Sequence, residues 1–168
     1  MVKDSKVLLW LIALSAVLLV NAVVRLTADN SRAALEGVWR TVEVVVPGPM
    51  PQSFKPGATL AVFHGRYYSR VEVHAEDPRP VMKDPAAASA DELRAAWGPF
   101  VGDAGTFELS GAVITMQALV AKNPAAMVNG ATSVYTYQRS GDSLTLTQVR
   151  THSGPARAPA TVKMVRVE

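Results

Sequence analysis

Few residues in this chain could carry catalysis or bind a metal. It contains three histidines, His64, His74 and His152, and no cysteine. They form no H-x-H or HExxH motif, and no acidic cluster at metal-ligand spacing accompanies them. His64 belongs to a predicted hairpin tip and His74 lies about nine residues down the next strand, so roughly 30 Å separates them at about 3.3 Å per residue. Because P-loop, Rossmann and G-x-S-x-G motifs are missing too, the sequence predicts no metal, no cofactor and no catalytic residue.

Two glutamates remain as candidates for acid/base chemistry. Glu72 lies two residues before His74 and could pair with it, although this spacing on a strand usually belongs to a solvated surface. If Trp39 points inward, strict alternation sends Glu43 inward too, where it would orient a ligand or act as an acid or base. A β-bulge would turn Glu43 outward instead. An acid or base that points into an empty cavity would indicate an enzyme. A cavity wall whose only polar residues are Tyr, Ser and Gln would indicate binding.

The elements that position these side chains are strands. From residue 37 onward, short runs rich in Val, Thr, Tyr and Phe are separated by Gly, Pro, Asn and Asp. Eight strands are predicted, at residues 37–46, 58–63, 66–74, 104–109, 112–120, 132–139, 143–150 and 161–167. Short loops containing glycine join several of them, which favours an antiparallel meander. Because closure removes the exposed edges, we expect a mainly β fold, an eight-stranded antiparallel up-and-down barrel.

Residues opposite each other on paired strands share a face, which sorts each hairpin. A loop at Ser110 and Gly111 pairs Phe107 with Ile114 and puts Met116 on the same apolar face. In the hairpin around "FHGRY", the predicted dry face contains Leu60, Val62, Tyr67, Ser69, Val71 and Val73, and the wet face contains Arg66, Tyr68, Arg70, Glu72 and His74. The third hairpin joins the predicted strands at 132–139 and 143–150. A loop of even length puts Leu144 and Leu146 on the same face as Tyr135 and Tyr137, whereas a three-residue loop puts them on the face of Thr136 and Gln138. The even loop is preferred because its face is more apolar.

These faces identify candidate ligand contacts. A barrel of eight strands is either filled by side chains or holds one small ligand. If it is hollow, the predicted ligand-binding residues are Tyr67, Ser69, Val71, Phe107, Ile114, Met116, Tyr135 and Gln148. If it is filled, the same residues form an ordinary core.

Two segments interrupt the strands. Prolines at 47, 49, 51 and 56 predict a long loop across one barrel end. The stretch "SADELRAAWG" predicts one short helix between the third and fourth strands, because Ser89 and Glu92 form a capping-box pattern and Gly98 marks a stop. Leu93 and Trp97 recur at helical spacing, either as a face packed on the barrel or as part of a lid over a pocket.

The N-terminal segment predicts export. Lys3 and Lys6 precede an apolar run over residues 7–20, and Ala22 offers a cleavage position. If the segment is not cleaved, the apolar stretch extends to Leu26 and is long enough to anchor the chain in a membrane. Residues 1–26 are therefore a predicted signal peptide or membrane-anchor helix, residues 27–34 a linker, and residues 35–168 the barrel. The expected location is periplasmic or secreted, with attachment to the cytoplasmic membrane if the segment is retained.

Size and charge limit the remaining possibilities. A chain of 168 residues with 49% hydrophobic content suits one domain with a real core. Its 17 basic and 14 acidic residues give a net charge of +3, and the basic residues are scattered. Nucleic acid is therefore not an expected partner.

Several stretches resemble a known family. "GVWR", "SADELRAAWGPFVGDAGTFELSG", "NPAAMVNG" and "GDSLTLT" are similar to the bacterial lipocalin-like domain family of the calycin superfamily, over roughly residues 35–168. The resemblance implies that Trp39 lies at the closed end of the barrel with Arg166 packed over it. It also implies an exported protein that binds a small hydrophobic or amphipathic molecule. The alternatives are a barrel enzyme that isomerises, cyclises or hydrates a hydrophobic substrate, and a filled barrel that serves as an interaction module.

Overall fold

A computed structural model describes residues 32–128 and 130–168. The chain divides into two units, Met1–Leu35 and Glu36–Glu168, and the second is the subject here. The predicted signal or anchor segment, residues 1–26, lies outside the described residues, as do residues 27–31 of the predicted linker. Within the described ranges, no helix has the length and apolar character needed to cross a membrane.

The second unit is an antiparallel barrel. Its strands are β1 (Gly37–Val46), β2 (Gln52–Phe54), β3 (Thr59–His64), β4 (Tyr67–Val73), β5 (Phe100–Ser110), β6 (Val113–Ala121), β7 (Ser133–Ser140), β8 (Ser143–Thr151), β9 (Gly154–Pro155) and β10 (Thr161–Arg166). Neighbours pair in the order β1, β3, β4, β5, β6, β7, β8, β10, and β10 also pairs with β1, which closes the barrel. The eight long strands correspond to the eight predicted ones, and the largest difference is that β5 begins at Phe100 instead of residue 104.

The β5–β6 and β7–β8 hairpins confirm which residues share a face. In β7–β8, Tyr137 lies opposite Leu146 across a two-residue loop, so the preferred even loop is correct. In β5–β6, Phe107 lies opposite Met116 and not Ile114, because the loop is Gly111–Ala112 instead of Ser110–Gly111. The predicted register is therefore wrong by two residues, but a shift of two leaves every side chain on its face.

The hairpin of β3 and β4 has the opposite orientation from the predicted one. Its grouping into two faces is correct, since Leu60 pairs with Val71 and Ala61 with Arg70. However, the supposedly dry face points outward: Leu60 and Val71 are 44% and 41% exposed. The inner face contains Ala61, Phe63, Tyr68, Arg70 and Glu72. The prediction failed because it placed the more apolar face inside, whereas the inward polar side chains find partners on other strands.

A β-bulge in β1 settles the orientation of Glu43. Thr41 pairs with Met164 of β10 but Glu43 pairs with Lys163, so Val42 is an extra residue on β1. Trp39 and Thr41 are buried, and after the bulge Val44 takes the inward position. Glu43 points outward, where it binds the Lys163 ammonium at 2.7 Å and accepts a hydrogen bond from Ser53. An inward role for Glu43 is therefore wrong.

The interrupting segments contain regular structure. The proline-rich loop includes β2, which pairs with Val44–Val46 of β1. Before β5, residues Ala90–Trp97 form a helix, called the capped helix below. Its capping box is present, with the Glu92 N–H donating to Ser89 Oγ and the Ser89 N–H donating to the Glu92 carboxylate. Leu93 and Trp97 are 41% and 49% exposed, so the expectation of a buried face at these residues is not met.

Candidate ligand-binding site

The closed end of the barrel is filled. Trp39 is fully buried on β1, and the Arg166 guanidinium lies 4.9 Å from its ring centroid, as the family resemblance implied. The Arg139 guanidinium lies over the same ring at 5.9 Å. Next to this stack, the rings of Phe63 and Phe107 pack edge to face with centroids 5.4 Å apart. This end of the barrel provides core packing and leaves little room for a ligand.

A small space follows further along the barrel. It is about 20 Å³ in volume, and its walls include Tyr68, Asp103 and Met116. A buried water molecule needs at least about 10 to 15 Å³ of such space, so this void holds roughly one. The barrel is therefore solid at the level of Met116.

A group of polar side chains occupies the interior between β4 and β5. We call Tyr68, Arg70, Glu72 and Asp103 the polar centre. The Arg70 side chain binds the Asp103 carboxylate through Nε and Nη2, each 2.9 Å from Oδ1. The Tyr68 hydroxyl donates to Asp103 Oδ2 at 2.8 Å. Since Arg70 and Asp103 lie directly opposite on paired strands, the sheet register itself brings them together.

Burial and charge keep these groups in defined protonation states. Burial raises the pKa of the Tyr68 hydroxyl, the nearby Asp103 carboxylate raises it further, and the group stays protonated as a donor. Burial opposes the charge of Arg70, but the oxygens of Tyr135, Asp103 and Glu72 raise its pKa overall. Arg70 is therefore a permanent cation held against a carboxylate.

Glu72 is the most deeply buried carboxylate of the polar centre, with 1% of its surface exposed. Its Oε1 accepts a hydrogen bond from the Thr41 hydroxyl at 2.7 Å, and His74 Nε2 lies 2.7 Å from Oε2. Burial raises the pKa of Glu72, but the hydrogen bonds from His74 and Thr41 and the charge of Arg70 outweigh it, and the net pKa is lowered. The suspected Glu72–His74 pair thus exists, and it lies inside the barrel instead of on a solvated surface.

The end of the barrel opposite Trp39 opens into a cavity of about 390 Å³, which we call the mouth cavity. Strand β5 begins at this end and β6 finishes there, so the turns around it bring distant segments together. Its wall comprises Arg70, Gly98, Phe100, Val101, Gly102, Asp103, Ala121, Lys122, Asn123, Ala126, Ser133 and His152. The Arg70–Asp103 pair of the polar centre is therefore part of the wall.

A groove of about 460 Å³ adjoins the mouth cavity and extends over the outer face of β4, and the two share the lining residues Arg70, Phe100, Gly102, Asp103, Ala121 and Lys122. The lining of the groove also includes outward-facing Ser69, Val71 and Val120 together with Trp97 at the end of the capped helix. The Lys122 ammonium connects this helix end to β6, because it donates to the carbonyl groups of Trp97, Gly98 and Phe100. Lys122 consequently acts as a cap for the C-terminal end of the helix.

Three of the predicted ligand residues lie on the outer face of β4. Ser69 and Val71 line the outer groove, and Tyr67 is 52% exposed under the Arg66 guanidinium, 5.2 Å from its ring centroid. Their placement inside the barrel was wrong because the hairpin was assigned the opposite orientation. Ligand binding by these residues stays a prediction.

The other five predicted residues point into the barrel. Phe107 and Ile114 are fully buried in the core, and Met116 borders the small void. Tyr135 and Gln148 lie opposite each other on β7 and β8, where the Gln148 amide donates to the Tyr135 hydroxyl at 3.0 Å. Their polar groups are thus already paired with each other.

Sequence reasoning missed Arg70, Asp103, Ser133 and His152 as wall residues of the mouth cavity. A signal for Arg70 was present, since parity had placed it on one face with Tyr68 and Glu72. Asp103 lay outside the predicted strands, the fourth of which began at residue 104, and its pairing with Arg70 depends on where β5 begins. Asp103 also has the position that would indicate an enzyme, a carboxylate beside an empty space. However, its oxygens already accept hydrogen bonds from Arg70 Nε and the Tyr68 hydroxyl, and Arg70 Nη2 forms an ion pair with it.

No protein-family model and no curated protein matches this chain. Solved structures similar to it include the following two. One is a lipocalin-like protein from Bacteroides uniformis ATCC 8492, with 14% identity, a TM-score of 0.45, and coverage of 79% of this chain and 98% of that one. The other is an uncharacterized protein from Bacteroides eggerthii DSM 20697, with 12% identity, a TM-score of 0.41, and coverage of 78% and 98%. With its closed eight-stranded antiparallel barrel and its Trp39–Arg166 stack, the chain has a lipocalin-like fold.

Proposed function

We propose that this protein binds a small amphipathic molecule in the mouth cavity. The observation that carries the proposal is the composition of the wall, where the Arg70–Asp103 pair and a few further polar side chains share the lining with apolar residues. The further polar residues are Lys122, Asn123, Ser133 and His152, and the apolar ones are Phe100, Val101, Ala121 and Ala126. Sites for small molecules typically combine an apolar lining with a few fixed polar groups, in volumes of about 300 to 1,000 Å³. The mouth cavity, at about 390 Å³, meets both conditions.

The filled closed end restricts where the molecule binds. Because only about 20 Å³ is free beside Met116, the ligand occupies the mouth and does not reach Trp39. Its apolar part packs against Phe100, Ala121 and Ala126, and its polar part faces the Arg70–Asp103 pair. The ligand is therefore held at the mouth of the barrel and is not enclosed along the whole barrel axis.

A dye titration tests the proposal. Protein purified after expression of the full chain should bind an environment-sensitive hydrophobic dye saturably, and small amphipathic molecules should displace it. Failure to reach saturation, or no displacement by any of them, would contradict the proposal. The amphipathic molecule is recovered after incubation, and its mass and chromatographic retention are compared with those of the starting compound. Unchanged values indicate binding, whereas an enzyme would return a rearranged or hydrated product.

A pair of variants on one short helix locates the site. Ala126 lines the mouth cavity, whereas its neighbour Ala125 is exposed and outside that lining. Ala126→Trp should fill the cavity and weaken dye binding by about tenfold or more, equivalent to about 1.4 kcal/mol. Ala125→Trp adds the same side chain to the same 3-10 helix, Pro124–Met127, and should leave binding unchanged. Equal effects of both variants would show that the dye binds elsewhere.

We also propose that the protein is exported. The support is the basic start at Lys3 and Lys6 followed by the apolar run over residues 7–20. A reporter fused after Glu168 should be active outside the cytoplasmic membrane and inactive inside it. A soluble cytoplasmic product that retains Met1 would refute export, and the intact mass of the released protein would distinguish cleavage after Ala22 from anchoring.

A further inference from the structure

The charges of the polar centre bear on which head group the mouth cavity accepts. In the polar centre Arg70 contributes one positive charge and Glu72 and Asp103 contribute two negative charges, and Lys122 of the cavity wall adds a second positive charge, so these four charges cancel. Arg70 has no excess charge to offer, because both carboxylates act on it. A charged head group of either sign would lose hydration on entering the cavity without meeting an uncompensated opposite charge, and burying a charge in that way is costly.

The geometry of Arg70 leads to the same expectation. A guanidinium recognises a carboxylate best through two parallel N–H groups. Arg70 already directs Nε and Nη2 at Asp103, both at 2.9 Å. A ligand carboxylate would have to displace Asp103, which is also held by the Tyr68 hydroxyl at 2.8 Å.

The other polar groups of the wall are neutral or occupied. Ser133, Asn123 and His152 supply hydrogen-bonding side chains to the mouth cavity. The Lys122 ammonium is positively charged, but it directs its N–H groups at the carbonyl oxygens of Trp97, Gly98 and Phe100. The wall therefore offers hydrogen bonds more readily than an unpaired charge.

We propose that the ligand of the mouth cavity has a neutral hydrogen-bonding head group, such as a hydroxyl or primary amide, on an apolar body. Its head group forms hydrogen bonds with the side chains of the Arg70–Asp103 pair and Ser133, and its apolar part packs against Phe100 and Ala121. This inference rests on the proposed function, because it names the ligand class of that same cavity.

Four ligands with one chain and different head groups test it at neutral pH. Decanol, decanamide, decanoic acid and decylamine would each displace the dye from the wild-type protein. Decanol and decanamide should bind about tenfold more tightly than the carboxylate and the amine. Tighter binding of decanoic acid or decylamine, or equal binding of all four, would overturn the head-group inference and leave the proposed function intact. No displacement by any of the four would overturn the proposed function and the inference with it.

One substitution should reverse the preference. Asp103→Asn removes a carboxylate from Arg70 and keeps the shape and an oxygen acceptor, so decanoic acid should gain about tenfold in affinity relative to decanol. Asp142→Asn, at the exposed tip of the β7–β8 hairpin, removes the same charge elsewhere and should change neither affinity. If Asp103→Asn does not fold, Glu72→Gln removes the other carboxylate that acts on Arg70 and should shift the preference in the same direction. A folded variant of either kind with unchanged preference would overturn the role of this charge balance.

Discussion

Replacing Trp39 with alanine should remove the largest fully buried side chain of the barrel. Deleting a large aromatic group from a packed core costs about 3 to 5 kcal/mol, because the site collapses only partly around the cavity. Trp39 is fully buried, so we expect a loss of free energy of unfolding within that range.

Part of this loss belongs to the stack with Arg166. The guanidinium lies 4.9 Å from the ring centroid, and Nε of Arg166 is buried with no hydrogen-bond partner among the described residues. Cation–π contacts contribute about 0.5 to 1 kcal/mol when exposed and about 2 kcal/mol when desolvated. We therefore expect a coupling of about 1 to 2 kcal/mol between Trp39→Ala and Arg166→Met in a double-mutant cycle.

Arg139 provides the matched comparison. Its guanidinium lies over the same ring at 5.9 Å, and the residue is exposed. The cycle of Trp39→Ala with Arg139→Met should consequently give a coupling of about 0.5 kcal/mol or less.

Denaturant unfolding followed by circular dichroism supplies the four free energies of each cycle, provided that the slope against denaturant is the same for all variants. Losses for Trp39 and Arg166 that add to within about 0.3 kcal/mol would refute the stack, since residues in contact do not behave independently. A larger coupling for Arg139 than for Arg166 would refute the expectation that the guanidinium nearer the Trp39 ring interacts with it more strongly. It would leave cation–π stabilisation itself in place.

Three further predictions concern the rest of the barrel. Met116→Trp should destabilise the fold by about 1 to 3 kcal/mol through overpacking, because the adjoining space is only about 20 Å³; an unchanged melting temperature would show that the barrel is hollow there. Glu72 has a pKa below its ordinary value of 4.5 in the folded state, so its contribution to stability is present above that pH and is lost as the pH falls through the lowered pKa. Glu72→Gln should flatten this acid limb of a stability-against-pH curve, and an unaltered limb would contradict the assignment. Gly37→Ala should destabilise, because Gly37 has a φ of 128° and a Cβ would lie 2.5 Å from the Glu168 carbonyl oxygen. Gly48→Ala, which meets nothing within 4 Å, should have little effect on the melting temperature, and equal effects of the two would count against the steric explanation.

Local patterns were enough to predict the strands and the capped helix. Alternation and turn residues located the eight long strands, and Ser89 with Glu92 predicted a capping box that involves only neighbouring residues. The contact between Trp39 and Arg166 followed from resemblance to a family and agrees with the strand pairing. The polar wall of the mouth cavity was not predicted, because Asp103 and His152 join it only when segments far apart in the chain meet.

The sequence by itself determined which side chains share a face, since alternation is a property of each strand and parity survives a register shift of two. Only the tertiary structure decided which face of β3 and β4 points inward. Apolar Leu60 and Val71 remain exposed, whereas Arg70 and Glu72 enter the barrel. A buried charge is tolerated when a partner compensates its loss of hydration, and those partners are Asp103 from β5 and Thr41 from β1. Because these contacts are non-local, hydropathy along one strand carries no information about them.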